Sequence, residues 1–166
     1  PLGLLNLEAS SGNSQLFITT NDTTSRSQLI FGDSADSNVG GVQYDHSDDS
    51  MQFHSGNGGE RMRIDSSGNL LVGTTDTFPG GGDTNTGVSL SSTGAVTASR
   101  DGDFAARFNR KTSDGEIIGL NKDGSPVGSI GTSNGDITID ASGGAGVLKA
   151  SGTGQLAWAN NLFYPI

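Results

Sequence analysis

Two histidines and two aspartates between residues 46 and 54 come closest to a set of metal ligands in this sequence. His46, Asp48 and Asp49 lie in one polar stretch, and His54 follows a short segment of alternating polarity. Imidazole nitrogens and carboxylate oxygens both bind divalent cations. The two histidines match no standard ligand spacing, however. A solvated acidic turn is therefore the favoured interpretation, and we predict no metal or other cofactor.

Carboxylates elsewhere in the chain raise two further possibilities. The aspartate-rich segments 32–36 and 134–136 lack the ordered ligand spacing of a calcium loop, which favours turn chemistry. Paired carboxylates also hydrolyse glycosidic bonds, and Glu60 and Glu116 are candidates together with nearby aspartates. Because 18 acidic residues are spread along the chain, the choice of a pair is arbitrary. There is no cysteine nucleophile either, and we predict no catalytic residues.

The densest aromatic group lies near the end of the sequence, at Trp158, Phe163 and Tyr164. Such rings can stack on sugars, but near a chain end they more often pack an interface, which is the favoured of the two roles. Four arginines are predicted to form a charged outer face on strands: Arg61, Arg63, Arg107 and Arg110.

The segment 60–75 (ERMRIDSSGNLLVGTT) shows the kind of element that must position these side chains. Met62 and Ile64 alternate with two arginines, so a strand places the apolar pair on one face and the cations on the other. Asp65-Ser66-Ser67-Gly68 is a turn sequence, and residues 70–72 supply a second short strand. Most of the sequence repeats looser versions of this unit, which predicts an all-β fold.

The composition leaves little apolar surface for a core within one chain. Apolar residues make up 31% of the sequence, and 27 further residues are glycine. The low hydropathy resembles disorder, but regular alternation and a charged fraction of 16% favour short strands joined by tight turns. Each chain is therefore expected to bury its apolar face against copies of itself. The predicted core of that assembly consists of Met62, Ile64, Leu70, Val72, Ile137 and Ile139.

The net charge of −9 argues against nucleic acid as a partner, because phosphate recognition needs a basic surface. No apolar run approaches the ~18 residues of a membrane span, so membrane insertion is not expected.

Alternation predicts strands along most of the chain, at residues 4–9, 15–19, 28–31, 40–45, 51–54, 88–90, 95–99, 116–120 and 136–140. At 103–111 a strand and a short helical face compete, and the segment is too short for a convincing helix, which favours strand. The glycine- and proline-rich segment 76–87 is predicted to be a linker or loop. It would separate an N-terminal β-repeat region (4–75) from a C-terminal one (88–166).

Three segments resemble units of bacteriophage tail-fibre proteins, particularly those of marine phages. GERMRIDSSGNLLVGTT (59–75) resembles their recurrent unit, and YDHSDDSMQFHSG (44–56) resembles the segment that often precedes it. Residues 103–132 are similar to a second unit of the same proteins. The tail at 159–165 resembles the stretch before a self-cleaving intramolecular chaperone domain, and no such domain follows it in this sequence.

The resemblance implies an elongated, intertwined homotrimeric fibre of triple-stranded β-helix or β-prism segments, with apolar faces meeting on one axis. It also implies a place on the virion, outside the cell, with other tail proteins as partners. The ligand would be a bacterial surface receptor, either a glycan or a protein. Two alternatives stay open: a polysaccharide-degrading enzyme on the same scaffold, and a bacterial surface adhesin with similar β repeats.

Overall fold

The computed structural model describes residues 12–141, and their regular secondary structure consists entirely of β-strands. The strands are β1 (Arg26–Phe31), β2 (Gly40–Asp45), β3 (Ser50–Ser55), β4 (Gly59–Ile64), β5 (Leu70–Val72), β6 (Gly87–Leu90), β7 (Val96–Ser99), β8 (Gly115–Lys122), β9 (Ser125–Ser133) and β10 (Asp136–Ala141). The predicted all-β class is confirmed. The predicted strand at 4–9 and the aromatic residues Trp158, Phe163 and Tyr164 lie outside the described residues.

The chain divides into two compact units between Ala106 and Arg107. In the first unit, β1–β7 form an antiparallel sheet in which neighbours in sequence are also neighbours in space. In the second unit, β8, β9 and β10 form a three-stranded antiparallel sheet.

The division between the units falls later than the predicted boundary at 76–87. That segment is a loop between β5 and β6, which pair directly through Val72 and Val88. Pro79 within the loop is fully buried. Glycine and proline mark a turn inside a sheet as readily as a linker between domains, so composition alone does not separate the two.

Two predicted strands are irregular in the structure. Residues 15–19 belong to no strand, and Phe17 is 77% exposed. Residues 103–111 form neither the favoured strand nor the competing helix, so Arg107 and Arg110 do not lie on a strand face as predicted. Alternation produces a strand only where a neighbouring strand accepts its backbone hydrogen bonds, and within residues 12–141 neither segment joins a sheet.

The turn Asp65-Ser66-Ser67-Gly68 and the similar sequence Ser91-Ser92-Thr93-Gly94 have the same structure. In each, the glycine (Gly68 and Gly94) donates its backbone N–H to the carbonyl three residues earlier, at 2.9 and 2.8 Å. Both glycines adopt left-handed φ angles, 82° and 94°, which residues with a Cβ avoid. Asn69 Oδ1 accepts the backbone N–H of Ser92 at 2.9 Å and joins the two turns at one end of the sheet.

Candidate functional site

Pairing in register gives the seven-stranded sheet one face that is apolar across every strand. One transverse row consists of Leu29, Val42, Phe53, Met62, Val72, Val88 and Ala98. The next row on the same side contains Tyr44, Met51, Ile64, Leu70, Leu90 and Val96. Side chains two residues apart on a strand share a side, so the two rows together form what we call the apolar face.

Within the described residues, the apolar face stays largely exposed. Val72 is 42% exposed and Val96 71% exposed. Among the strand residues of 12–141, Leu71 is the one fully buried aliphatic side chain, and it lies on the opposite face of the sheet. Soluble proteins rarely expose an apolar patch of this extent unless another surface covers it. The face is therefore the strongest candidate for an interface.

The structure places four of the predicted core residues together on the apolar face. Met62 opposes Val72, and Ile64 opposes Leu70, in the adjacent strands β4 and β5. Met62 and Leu70 are half-buried by their neighbours, whereas Ile64 is 43% exposed. That these residues form the core of a trimer stays a prediction.

The other two predicted core residues belong to the three-stranded sheet of the second unit. Ile139 lies in one row with Ile130 and Ile118, and Ile137 is on the same side of β10. Ile137 is 79% exposed and Ile139 62% exposed. Among residues 12–141, this sheet therefore also has an aliphatic side that stays exposed.

The opposite side of the seven-stranded sheet, the polar face, carries an unbroken chain of side-chain hydrogen bonds. Gln28 donates its amide nitrogen to Gln43 Oε1, and Gln43 donates to Gln52 Oε1, both at 2.6 Å. Gln52 then donates to Ser50 Oγ at 2.7 Å, and Ser50 donates its hydroxyl to Asp48 Oδ1 at 2.6 Å. We call this chain the glutamine ladder. Its three middle members are buried, so each bond replaces one that water would make.

Asp48 fixes the direction of the glutamine ladder. An ionised carboxylate only accepts hydrogen bonds, so the Ser50 hydroxyl points at Asp48 and its oxygen is left to accept from Gln52. The amide nitrogens of Gln28 and Gln43 then point toward β3, and that of Gln52 points along β3 to Ser50. The amide oxygen of Gln28 becomes the acceptor that the ladder presents at its β1 end. The sequence reasoning missed this ladder, because register alone brings its members together.

Arg63 continues the polar face on β4. Its Nε and Nη2 donate to the two carboxylate oxygens of Glu60 at 2.6 and 2.7 Å, and its Nη1 donates to Asp48 at 3.0 Å. The hydrogen bonds to Glu60, more than those to Asp48, raise the pKa of Arg63. Arg63 thus lies on the side away from the apolar rows, as the alternation predicts. Arg61 falls at the register shift between β3 and β4, is exposed, and donates its Nε to the carbonyl oxygen of Ser55 at 3.1 Å.

The four candidate metal ligands make hydrogen bonds of the turn and its flanking strands. His46 Nε2 lies 3.0 Å from a serine hydroxyl on β1, and His54 Nδ1 lies 2.7 Å from the carbonyl oxygen of Gly58. Asp48 ends the glutamine ladder, and Asp49 accepts from a tyrosine hydroxyl on β2 at 3.0 Å. In the part of the chain that the structure describes, no group of three or more such side chains is placed to hold a metal ion.

The aspartate-rich segments, considered above for calcium, form local turns. Asp33 Oδ1 accepts the backbone N–H groups of Asp36 and Ala35 at 2.9 and 2.8 Å, and these bonds lower the pKa of Asp33. The Asn134 N–H donates to Asp114 Oδ2 at 2.6 Å. Asp33 thus stabilises a local turn, whereas the N–H of the second segment is accepted by a carboxylate from the loop before β8.

The two glutamates considered as catalytic carboxylates belong to different units of the chain. Glu60 holds Arg63 with both oxygens, and Glu116 belongs to the second unit. The segment Gly131-Thr132-Ser133-Asn134-Gly135 also matches the Gly-x-Ser-x-Gly pattern of hydrolase nucleophiles, a match that the sequence reasoning missed. In such enzymes the serine stands on a strand-to-helix turn. Here Asn134 and Gly135 form a two-residue hairpin turn, with φ of 51° and 85°, between β9 and β10.

No family model, curated protein or solved structure matches this chain. The features of this chain that bear on its function are therefore the two faces of the seven-stranded sheet and the sequence resemblance. Residues 12–141 contain no helix that is long and apolar enough to cross a membrane.

Asp45 lies at the edge of the polar face, and we expect its substitution to destabilise the fold only above acidic pH. Its carboxylate accepts from the Ser47 hydroxyl at 2.5 Å and from Arg26 Nε at 2.7 Å, and these bonds, Ser47 first, hold the pKa of Asp45 well below its ordinary value. A carboxyl group with a lowered folded-state pKa stabilises the fold fully above its unfolded pKa of ~3.9. That stabilisation is lost as the pH falls through the folded value.

Asp45→Asn is therefore expected to lower the free energy of unfolding by about 1–3 kcal/mol near neutral pH. The difference from the unsubstituted chain should shrink as the pH drops below ~4. Urea unfolding across a pH series, at one protein concentration, measures it. A difference that stays constant through the acid range would contradict the role given to the Asp45 carboxylate.

Proposed function

We propose that this chain is a segment of a bacteriophage tail fibre, in which three copies associate through their apolar faces. The fibre segment acts as a structural shaft and contributes to recognition of a bacterial surface receptor. The observation that carries the proposal is the uncovered apolar face, which crosses all seven strands of the first unit. A second copy of the chain is a natural partner, because it presents the same apolar rows.

The pairing of the strands favours a β-prism over a triple-stranded β-helix for the first unit. In this unit each strand, from β1 to β7, hydrogen-bonds to its sequence neighbours within the same chain. Three such sheets can pack face to face around an axis without exchanging strands, and their apolar rows then form the shared core. The polar faces, with the glutamine ladder, then lie on the sides of the sheets that are turned away from the axis.

The remaining parts of the proposal follow from the sequence resemblance. The fibre belongs on the virion and acts outside the cell, where other tail proteins hold its base. Its receptor lies on the bacterial surface and is a glycan in the version we favour. The charge of −9 does not oppose a neutral glycan, since such a ligand carries no charge to be repelled.

Sedimentation equilibrium of the full chain tests the assembly. We expect a species of three chains that persists on dilution, and a stable folded monomer would contradict the proposal.

Immunogold labelling of the phage particles that encode the chain tests the location: label is expected on tail fibres. Label on the bacterial surface in the absence of particles would instead support an adhesin, and release of reducing ends from capsule or lipopolysaccharide would support a depolymerase.

A further inference from the structure

The polar face of the first unit contains a small cavity that the proposed assembly leaves accessible. Its volume is about 110 Å³, and it lies beside the β1 end of the glutamine ladder. Polar side chains from four segments line it together with one aliphatic side chain and two glycines: Arg26, Gln28, Gln43, His54, Asn38, Ile30, Gly41 and Gly58. The cavity has room for several waters, and hence for one edge of a sugar ring.

The hydrogen bonds around the cavity determine which ligand atoms it can accept. The amide nitrogen of Gln28 is committed to Gln43, so its oxygen is the group it offers, and the ladder holds that amide in one orientation. Arg26 uses Nε for Asp45 and keeps its remaining N–H groups as donors. Ile30 is 40% exposed and supplies an apolar surface in the same wall. One fixed acceptor, one donor group and an apolar patch match a vicinal pair of hydroxyls on an aliphatic ring.

The charges around the cavity favour a neutral ligand. Arg26 is already neutralised by the Asp45 carboxylate at 2.7 Å, so it does not offer an unpaired positive charge to an anion. The amides of the ladder carry no charge, and the chain as a whole carries −9. An acidic sugar would therefore meet net repulsion, whereas a neutral one exchanges hydrogen bonds with water for hydrogen bonds with the cavity.

We propose that this cavity binds one neutral sugar residue of a surface polysaccharide, with Gln28 accepting from a ring hydroxyl and Arg26 donating to its neighbour. The site deepens the receptor-recognition part of the proposed function and rests on it for its biological setting. The cavity itself is formed within one chain and does not need the trimer. A failure of the sugar-binding proposal can therefore be distinguished from a failure of the chain to assemble.

The test combines saturation-transfer difference NMR with sedimentation on the same sample of the full chain. The probes are glucose, galactose, mannose and N-acetylglucosamine, each titrated alone, with glucuronic acid as the charged comparison. We expect saturation transfer to at least one neutral sugar and none to glucuronic acid. An assembled trimer that shows no saturation transfer to any neutral sugar overturns the cavity proposal but agrees with the proposed structural role of the fibre segment. Transfer to glucuronic acid alone also overturns it.

Two substitutions locate the binding. Gln28→Leu removes the fixed acceptor, and Asn38→Ala removes a second polar group from the wall without touching the ladder; each is expected to weaken binding about threefold to tenfold. Gln15→Leu makes the same chemical change at an exposed position outside the cavity and should leave binding unchanged. Equal weakening by Gln28→Leu and Gln15→Leu would place the binding elsewhere and overturn the proposal.

Discussion

Val72→Asp is expected to abolish assembly of the chain at micromolar concentration. Val72 lies near the middle of the apolar face, between Met62 and Val88 in the transverse row, and 42% of it is exposed within one chain. Covering that remainder contributes roughly 2 kcal/mol per copy at ~25 cal/mol per Å². The larger effect comes from the new carboxylate, because burying an unpaired ion costs about several kcal/mol. Three copies around one axis bring three such ions together, so the total is on the order of 10 kcal/mol per trimer.

Sedimentation equilibrium over a dilution series measures the effect, and Thr75→Asp is the matched control. Threonine has nearly the same shape as valine, and Thr75 is exposed just beyond β5, outside the paired strands. This control introduces the same charge into the same region of the sequence, and we expect it to sediment like the unsubstituted chain. If Val72→Asp assembles as well as Thr75→Asp does, the apolar face is not the interface between copies.

The parts of the fold that sequence predicts well are those that local chemistry determines. The predicted strand 40–45 has the same bounds as β2, and the turn glycines Gly68 and Gly94 are where a left-handed backbone is needed. The sequence also predicts a strand at 15–19 and favours a strand over a helix at 103–111, yet both segments lie outside strands. A strand needs a partner as well as a pattern, and partnership depends on residues far away in the chain.

The glutamine ladder shows the same limit at the level of a site. Gln28, Gln43 and Gln52 are ordinary polar residues on three separate strands, and nothing in their types or spacing marks them as a set. Only the register of β1, β2 and β3 places them opposite one another. The apolar face is more visible in the sequence, since Met62, Ile64 and their counterparts repeat with the period of a strand. That a strand has an apolar side is therefore predictable, whereas the chemistry of the polar side depends on which strands pair.

Leu71→Ala and Leu70→Ala are expected to separate the stability of the sheet from the stability of the assembly. The two leucines are adjacent on β5 and point to opposite faces. Leu71 is only 1% exposed on the polar face, between Arg63 and Ser89, and Leu70 is half-buried on the apolar face, between Ile64 and Leu90. The same truncation therefore removes contacts made within one chain in the first case and contacts between copies in the second.

Removing a fully buried leucine side chain costs about 2–5 kcal/mol, so Leu71→Ala should lower the urea midpoint sharply even where assembly is complete. Leu70→Ala should instead raise the concentration at which the assembly half-dissociates, with a smaller change in urea midpoint at high protein concentration. Urea unfolding at saturating concentration and sedimentation through a dilution series measure the two effects on the same pair of variants. The prediction is contradicted if both variants show the same drop in urea midpoint and the same weakening of assembly. The polar face would then not be the side that stabilises the single chain, nor the apolar face the side that joins the copies.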